Sequence, residues 1–178
     1  MKRTVLLFAI VLNSFTIMSP AQTPAKKGLV NGNFDASPAG QPPAGWKVAY
    51  PTGTAVVAKD EKETFLRLTT TDAVNAGVAQ ELPVPEKATK IEVLGKMRGK
   101  PKNEKTEKRA AVEVALRYKD ANGGNLNAAV VASENSPNWH TFRREFTLPP
   151  GVKTVEVVAR SLFAIGTFDF DEVRVEFK

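Results

Sequence analysis

The chain has 178 residues, with 25 Lys and Arg against 19 Asp and Glu, one His and no Cys. Without thiols it forms no disulfide, thiolate zinc or iron–sulfur site and has no cysteine nucleophile, and a single His leaves little for multi-histidine metal chemistry. The length fits one domain, and the modest basic excess gives no argument for nucleic acid.

Lys2 and Arg3 precede an apolar run over residues 5–11 that extends through Leu12, Phe15, Ile17 and Met18. Ser19-Pro20-Ala21 then sets small residues at the positions a signal peptidase requires, so residues 1–21 are expected to be a secretory signal peptide. Cleavage is expected after Ala21, with Ala25 as second choice. A membrane anchor is the weaker reading, because Asn13, Ser14 and Thr16 interrupt the run, and nothing later is apolar enough to cross a bilayer. With no Cys for lipid attachment, the product is expected to be secreted or periplasmic. Residues 22–27 read as a short flexible leader. Residues 28–178 read as a single domain that must hold itself together by core burial, with or without an ion.

Almost every later segment alternates. Leu66 and Leu68 oppose Phe65 and Arg67; Ile91, Val93 and Met97 oppose Glu92, Lys96 and Arg98; Val112, Val114 and Leu116 oppose Glu113 and Arg117. Period two means half-buried strands. Further strands are expected over residues 46–50, 55–58, 77–82, 126–132, 139–148, 153–162 and 167–177, separated by Pro, Gly, Asn and Asp. About ten short strands with no helical period predict an all-β antiparallel sandwich of the jelly-roll kind. Residues 36–45, rich in Pro, Gly, Ala and Ser, are expected to be a loop; residues 99–108 a solvated hairpin tip; and Asp120-Ala121-Asn122-Gly123-Gly124 a tight hairpin turn. In the last strand Phe168 and Phe170 have even numbers, whereas Val173, Val175 and Phe177 have odd ones. That parity switch requires a bulge or bend near Asp171 and Glu172.

Leu29-Val30-Asn31-Gly32-Asn33-Phe34-Asp35, followed by a Pro/Gly loop and Gly45-Trp46, resembles the opening of carbohydrate-binding modules of the family 4/9/22 kind. Asn138-Trp139 with Phe146-Thr147-Leu148-Pro149, and the closing Phe168-Asp169-Phe170-Asp171-Glu172-Val173-Arg174-Val175, resemble later segments of the same modules in the same order. The resemblance covers residues 28–178 and implies a galactose-binding-domain-like jelly roll. It also implies a structural Ca2+ between the chain ends, held by Asp35 and Asp171 with the Asn33 carbonyl. Calcium seeks several hard oxygens, which these supply. Equally, these acids can simply cap a bulge. Trp46 and Trp139 match positions that are structural in the family and are expected in the core, as is Tyr118 with its hydroxyl at the edge.

A sugar site needs an aromatic face for the ring and paired donors and acceptors for the hydroxyls. Tyr50, at a strand end beside Pro51, is the stacking candidate. Lys96, Arg98, Glu113, Arg117, Glu156 and Arg160 are expected on the outward faces of three strands that would neighbour one another in one sheet. They would form either a cross-strand ion-pair lattice or a groove for an acidic or heavily hydroxylated glycan. Glu113, Glu145 and Glu156 fit ordinary alternation, His140 is expected at a surface or edge, and no nucleophile elbow, phosphate loop or zinc-helix motif occurs. The expected function is a secreted, non-catalytic polysaccharide-binding module. The alternative is a cell-envelope structural or protein-interaction domain, with envelope proteins as partners and no sugar site.

Overall fold

A computed structural model describes residues 28–103, 107–133 and 135–178; the expected signal peptide and leader lie outside the described residues. Ten strands follow in chain order: β1 (Lys47–Pro51), β2 (Thr54–Lys59), β3 (Thr64–Thr70), β4 (Ala76–Pro83), β5 (Lys90–Gly99), β6 (Ala111–Lys119), β7 (Asn125–Ser133), β8 (Ser136–Thr147), β9 (Thr154–Leu162) and β10 (Gly166–Phe177). They form two five-stranded antiparallel sheets, ordered β1-β4-β9-β6-β7 and β2-β3-β10-β5-β8. The architecture is a jelly-roll β-sandwich, and the sheets are named here by their central strands, β9 and β10.

Alternation builds the core. Val78, Leu82, Val112, Val114, Leu116, Val155 and Val157 from the β9 sheet meet Leu66, Leu68, Ile91, Val93, Met97, Phe168 and Phe170 from the β10 sheet, all nearly or fully buried. Tyr118 joins them at 3% exposure, and burial pushes its phenol above the ordinary value. Phe34 and Trp46 seal one end, with ring centroids 5.6 Å apart.

The opening segment is tied down by its polar groups rather than by a ladder. Gln80 is buried on β4, donating to the carbonyls of Val30 and Gly45 at 3.0 and 2.8 Å and accepting from the Val30 N–H at 2.7 Å. Asn31 donates to Ser37 Oγ and the Ala44 carbonyl, while its own carbonyl accepts from the Trp46 indole N–H at 3.2 Å. The Val173 N–H donates to the Gly32 carbonyl at 2.9 Å, at the point where β10 changes parity. There the pairing with β5 shifts between Asp171 and Arg174, and Glu172 takes a φ of 52°. The expected bulge is therefore present, and it re-aims the side chains beyond it.

Residues 120–124 form the expected hairpin turn, in which Asp120 Oδ1 accepts the N–H groups of Asn122 and Gly124 and Gly123 adopts a φ of 79°. The β5–β6 connection differs from expectation. It is no hairpin tip, because β5 and β6 belong to opposite sheets; it is a crossover between them. Its described part is anchored by Asn103, whose side chain donates to the Phe163 carbonyl and accepts from the Ile165 N–H.

Candidate ligand-binding faces

The structure divides the seven predicted ligand-binding residues between two faces. Tyr50, Glu113, Arg117, Glu156 and Arg160 share the outer face of the β9 sheet, whereas Lys96 and Arg98 stand on the outer face of the β10 sheet. The expected grouping of three neighbouring strands fails for a topological reason. Alternation reveals which face a residue takes, but not which sheet its strand enters.

On the β9 sheet, register places Tyr50, Gly77, Arg160 and Glu113 in one cross-strand row and Glu81, Glu156 and Arg117 in another. Between these rows lies a floor of Ala79, Val158 and Ala115. Arg117 reaches over this floor to donate to the Tyr50 hydroxyl, and its guanidinium lies 5.7 Å from the Tyr50 ring centroid. This arch leaves Val158 with no exposed surface although it points away from the core.

Charges under the arch are matched. Arg160 donates twice to Glu113 Oε2, at 3.0 and 2.8 Å, and Arg117 donates to Glu156 Oε2 at 2.9 Å. Lys119 pairs with Glu81 and lies 3.5 Å from Glu156. Burial works against the charge on Arg160, but hydrogen bonds with Glu113 and Tyr50 outweigh it and hold the guanidinium above its ordinary value. Three acids thus face three bases in direct pairs, with Lys47, in register with Ala79, a further cation acting on Glu81. With all but one of its charges paired, such a surface offers the unused N–H groups and lone pairs of paired ions to neutral hydroxyls.

The β10 sheet carries a second constellation. Asp169, 4% exposed, accepts from Arg67 Nε and Nη2 at 2.8 and 3.0 Å and from Arg98 Nε at 2.8 Å. Arg98 lies 4.4 Å from the Trp139 ring centroid and 5.1 Å from that of Phe65, and the two rings meet edge to face at 5.8 Å. Trp139 is therefore not a core residue, contrary to expectation. It shares odd parity on β8 with Thr141, Arg143 and Glu145, and that polar company was the signal for an outward side chain. Phe65 is buried on the same outer face beneath Arg67, Arg98 and Trp139. His140 is exposed on β8, as expected of an edge residue.

Asn33, Asp35 and Asp171 come together: all three line one open cleft of about 490 Å³, with Glu63, Lys96 and Glu172. The Asn33 amide is turned toward Asp35, donating to its Oδ2 at 2.7 Å. Asp171 faces an ammonium instead. Lys96 Nζ lies 3.2 Å from Asp171 Oδ2, 2.9 Å from Glu63 Oε1 and 3.4 Å from Glu172 Oε1. Among the described residues no three His, Cys, Asp or Glu side chains form a metal-holding group. This donor set does not fit a resident calcium ion, because a dication touching Asp171 would stand against the lysine charge.

No protein-family model matches the chain, and no curated protein matches it. Solved structures do. The CBM22-1 xylan-binding domain of Paenibacillus barcinonensis Xyn10C matches over 77% of this chain and 88% of its own at 16% identity and a TM-score of 0.55. TmCBM61, solved with β-1,4-galactotriose, matches over 85% of this chain and 95% of its own at 15% identity and a TM-score of 0.51. The enzymatically active domain of tailspike protein 4 from bacteriophage CBA120 matches over 85% of this chain at 13% identity and a TM-score of 0.65, but this chain covers only 22% of it. The property shared with these structures is the fold, a jelly-roll β-sandwich. No helix among the described residues is long and apolar enough to cross a membrane.

Proposed function

We propose that the chain is a secreted, non-catalytic module that binds a neutral, hydroxyl-rich polysaccharide on the outer face of the β9 sheet. The observation that carries this is the convergence of Tyr50, Glu113, Arg117, Glu156 and Arg160 on one face with matched charge. Aromatic carbon next to fixed donors and acceptors is what sugar rings require. The fold neighbours add support, since one is described as xylan-binding and another was solved with β-1,4-galactotriose. The charged and apolar run in residues 1–21 supports export. A non-catalytic role is supported by the pairing of Glu113 with Arg160 and of Glu156 with Arg117, which engages the carboxylates that a glycosidase would need free as acid and nucleophile.

Affinity electrophoresis of the protein through gels containing xylan, β-1,4-galactan or polygalacturonate tests this. Retardation by a neutral glycan is expected. No retardation, or retardation by polygalacturonate alone, would overturn it.

A protein-interaction role draws support from a different feature. β7 forms the edge of the β9 sheet, has no charged residue in its nine positions and exposes Leu126 and Val130. Such an edge lends itself to strand addition by a partner. Under that role Val130→Lys would abolish capture of envelope components while leaving glycan retention intact.

A further inference from the structure

Lys96 sits on β5 opposite Asp171 in the β10 ladder, immediately before the bulge. Its side chain is only 12% exposed, and its ammonium lies within 3.4 Å of Glu63, Asp171 and Glu172, which come from two separate parts of the chain. Burial disfavours the lysine charge, and the contacts with Glu63 and Asp171 offset that cost. Asp171 is only 4% exposed, so its carboxylate depends on a cation beside it. The Asp171 Oδ1 atom is already occupied, accepting the Glu172 N–H at 2.7 Å across the bulge.

We propose that Lys96 is a built-in counter-ion which fills the cation seat at the bulge, so that the domain is locked by its own ammonium and is independent of calcium. One amine performs the joining that an ion would otherwise perform: it ties the β2–β3 turn, through Glu63, to the β10 bulge. Removing the amine leaves Glu63, Asp171 and Glu172 around an emptied position, with Asn33 and Asp35 on the wall of the same cleft. As they stand these acids form no metal-holding group; with the amine gone, they are expected to draw in around a hard cation such as calcium or a lanthanide.

Trp139 supplies the readout, because its ring centroid is 5.1 Å from Lys96 Nζ and it can sensitise terbium luminescence at that position. In the unaltered protein, calcium and chelator are expected to give melting temperatures within about 1 °C of each other, and terbium no sensitised emission. Lys96→Ala is expected to melt lower, to regain much of that loss with calcium, and to sensitise terbium; adding Asp171→Asn abolishes the emission. Where Lys96→Ala does not fold, Lys96→Met keeps the stem and permits the same titration. Calcium-dependent melting or sensitised emission in the unaltered protein would overturn the proposal, as would a folded Lys96 variant that ignores both ions.

Discussion

The Gly32 carbonyl accepts the Val173 N–H at 2.9 Å, and a Cβ placed on Gly32 would stand 1.9 Å from the Val173 carbonyl oxygen. The opening turn and the closing strand thus meet backbone to backbone, with no room for a side chain. The obstructing atom belongs to a bulged strand in the sheet centre and cannot retreat. Gly32→Ala is expected to cost at least about 3 kcal/mol, seen as a lower urea midpoint. An unchanged midpoint would show that the opening segment can detach without penalty.

Separating the two predicted groups of ligand residues gives a direct test of which face binds. Arg117→Ala removes both the arch to Tyr50 and the pair with Glu156, which keeps Lys119 nearby. It is expected to abolish glycan retention at a stability cost of at most about 2 kcal/mol. Arg98→Ala, on the opposite sheet, is expected to leave retention unchanged. The reverse pattern in the gels would move the site to the β10 sheet.

Acid should weaken the domain through Glu92. This carboxylate, 5% exposed, accepts from both ends of the Arg143 fork at 2.8 and 2.9 Å and pairs with Lys178 at 3.1 Å. Arg143 first and Lys178 second pull its pKa from 4.5 to about 2. A folded-state value below the unfolded one means stability that is present above about 4.5 and is lost as the pH falls toward 2. Unfolding midpoints measured across that window should fall less steeply for Glu92→Gln than for the unaltered protein. Parallel slopes would remove Glu92 from the account of acid sensitivity.

Ser161, fully buried on β9, has a hydroxyl with no hydrogen-bond partner. Its register neighbours across the sheet are Ala76 and Val112, and neither side chain can answer it. Ser161→Ala keeps the volume and removes an unmet polar group, and is expected to raise stability by about 1 kcal/mol. Calorimetry showing a lower melting temperature would mean that the hydroxyl is satisfied in solution.

The ten strands were legible in the sequence because most carry one apolar face and the breaks between them carry Pro, Gly, Asn or Asp; β1 and β7 are the exceptions, since Val48, Leu126 and Val130 are exposed. The bulge at Asp171 and Glu172 was legible too, since a parity change in a central strand has few other solutions. Sheet membership was not: nothing local in Lys96 and Arg98 separates them from Arg117 and Arg160, and only the placement of β5 and β6 in opposite sheets does. The stack of Trp139, Arg98 and Phe65 was hidden for another reason. A large aromatic ring suggests core, but here guanidinium planes and a neighbouring ring supply the cover that a second sheet would have given.

The position of β10 bears on how the chain reaches this state. It is tenth in chain order yet lies at the centre of its sheet, paired to β3 on one side and β5 on the other. Until its twelve residues arrive, β3 and β5 have no common partner, and the opening turn at Gly32 has nothing to clasp. Assembly of this sheet therefore has to wait for residues 166–177 to emerge. Such long-range pairing is slow, so the inner edges of β3 and β5 stay open until the last strand docks.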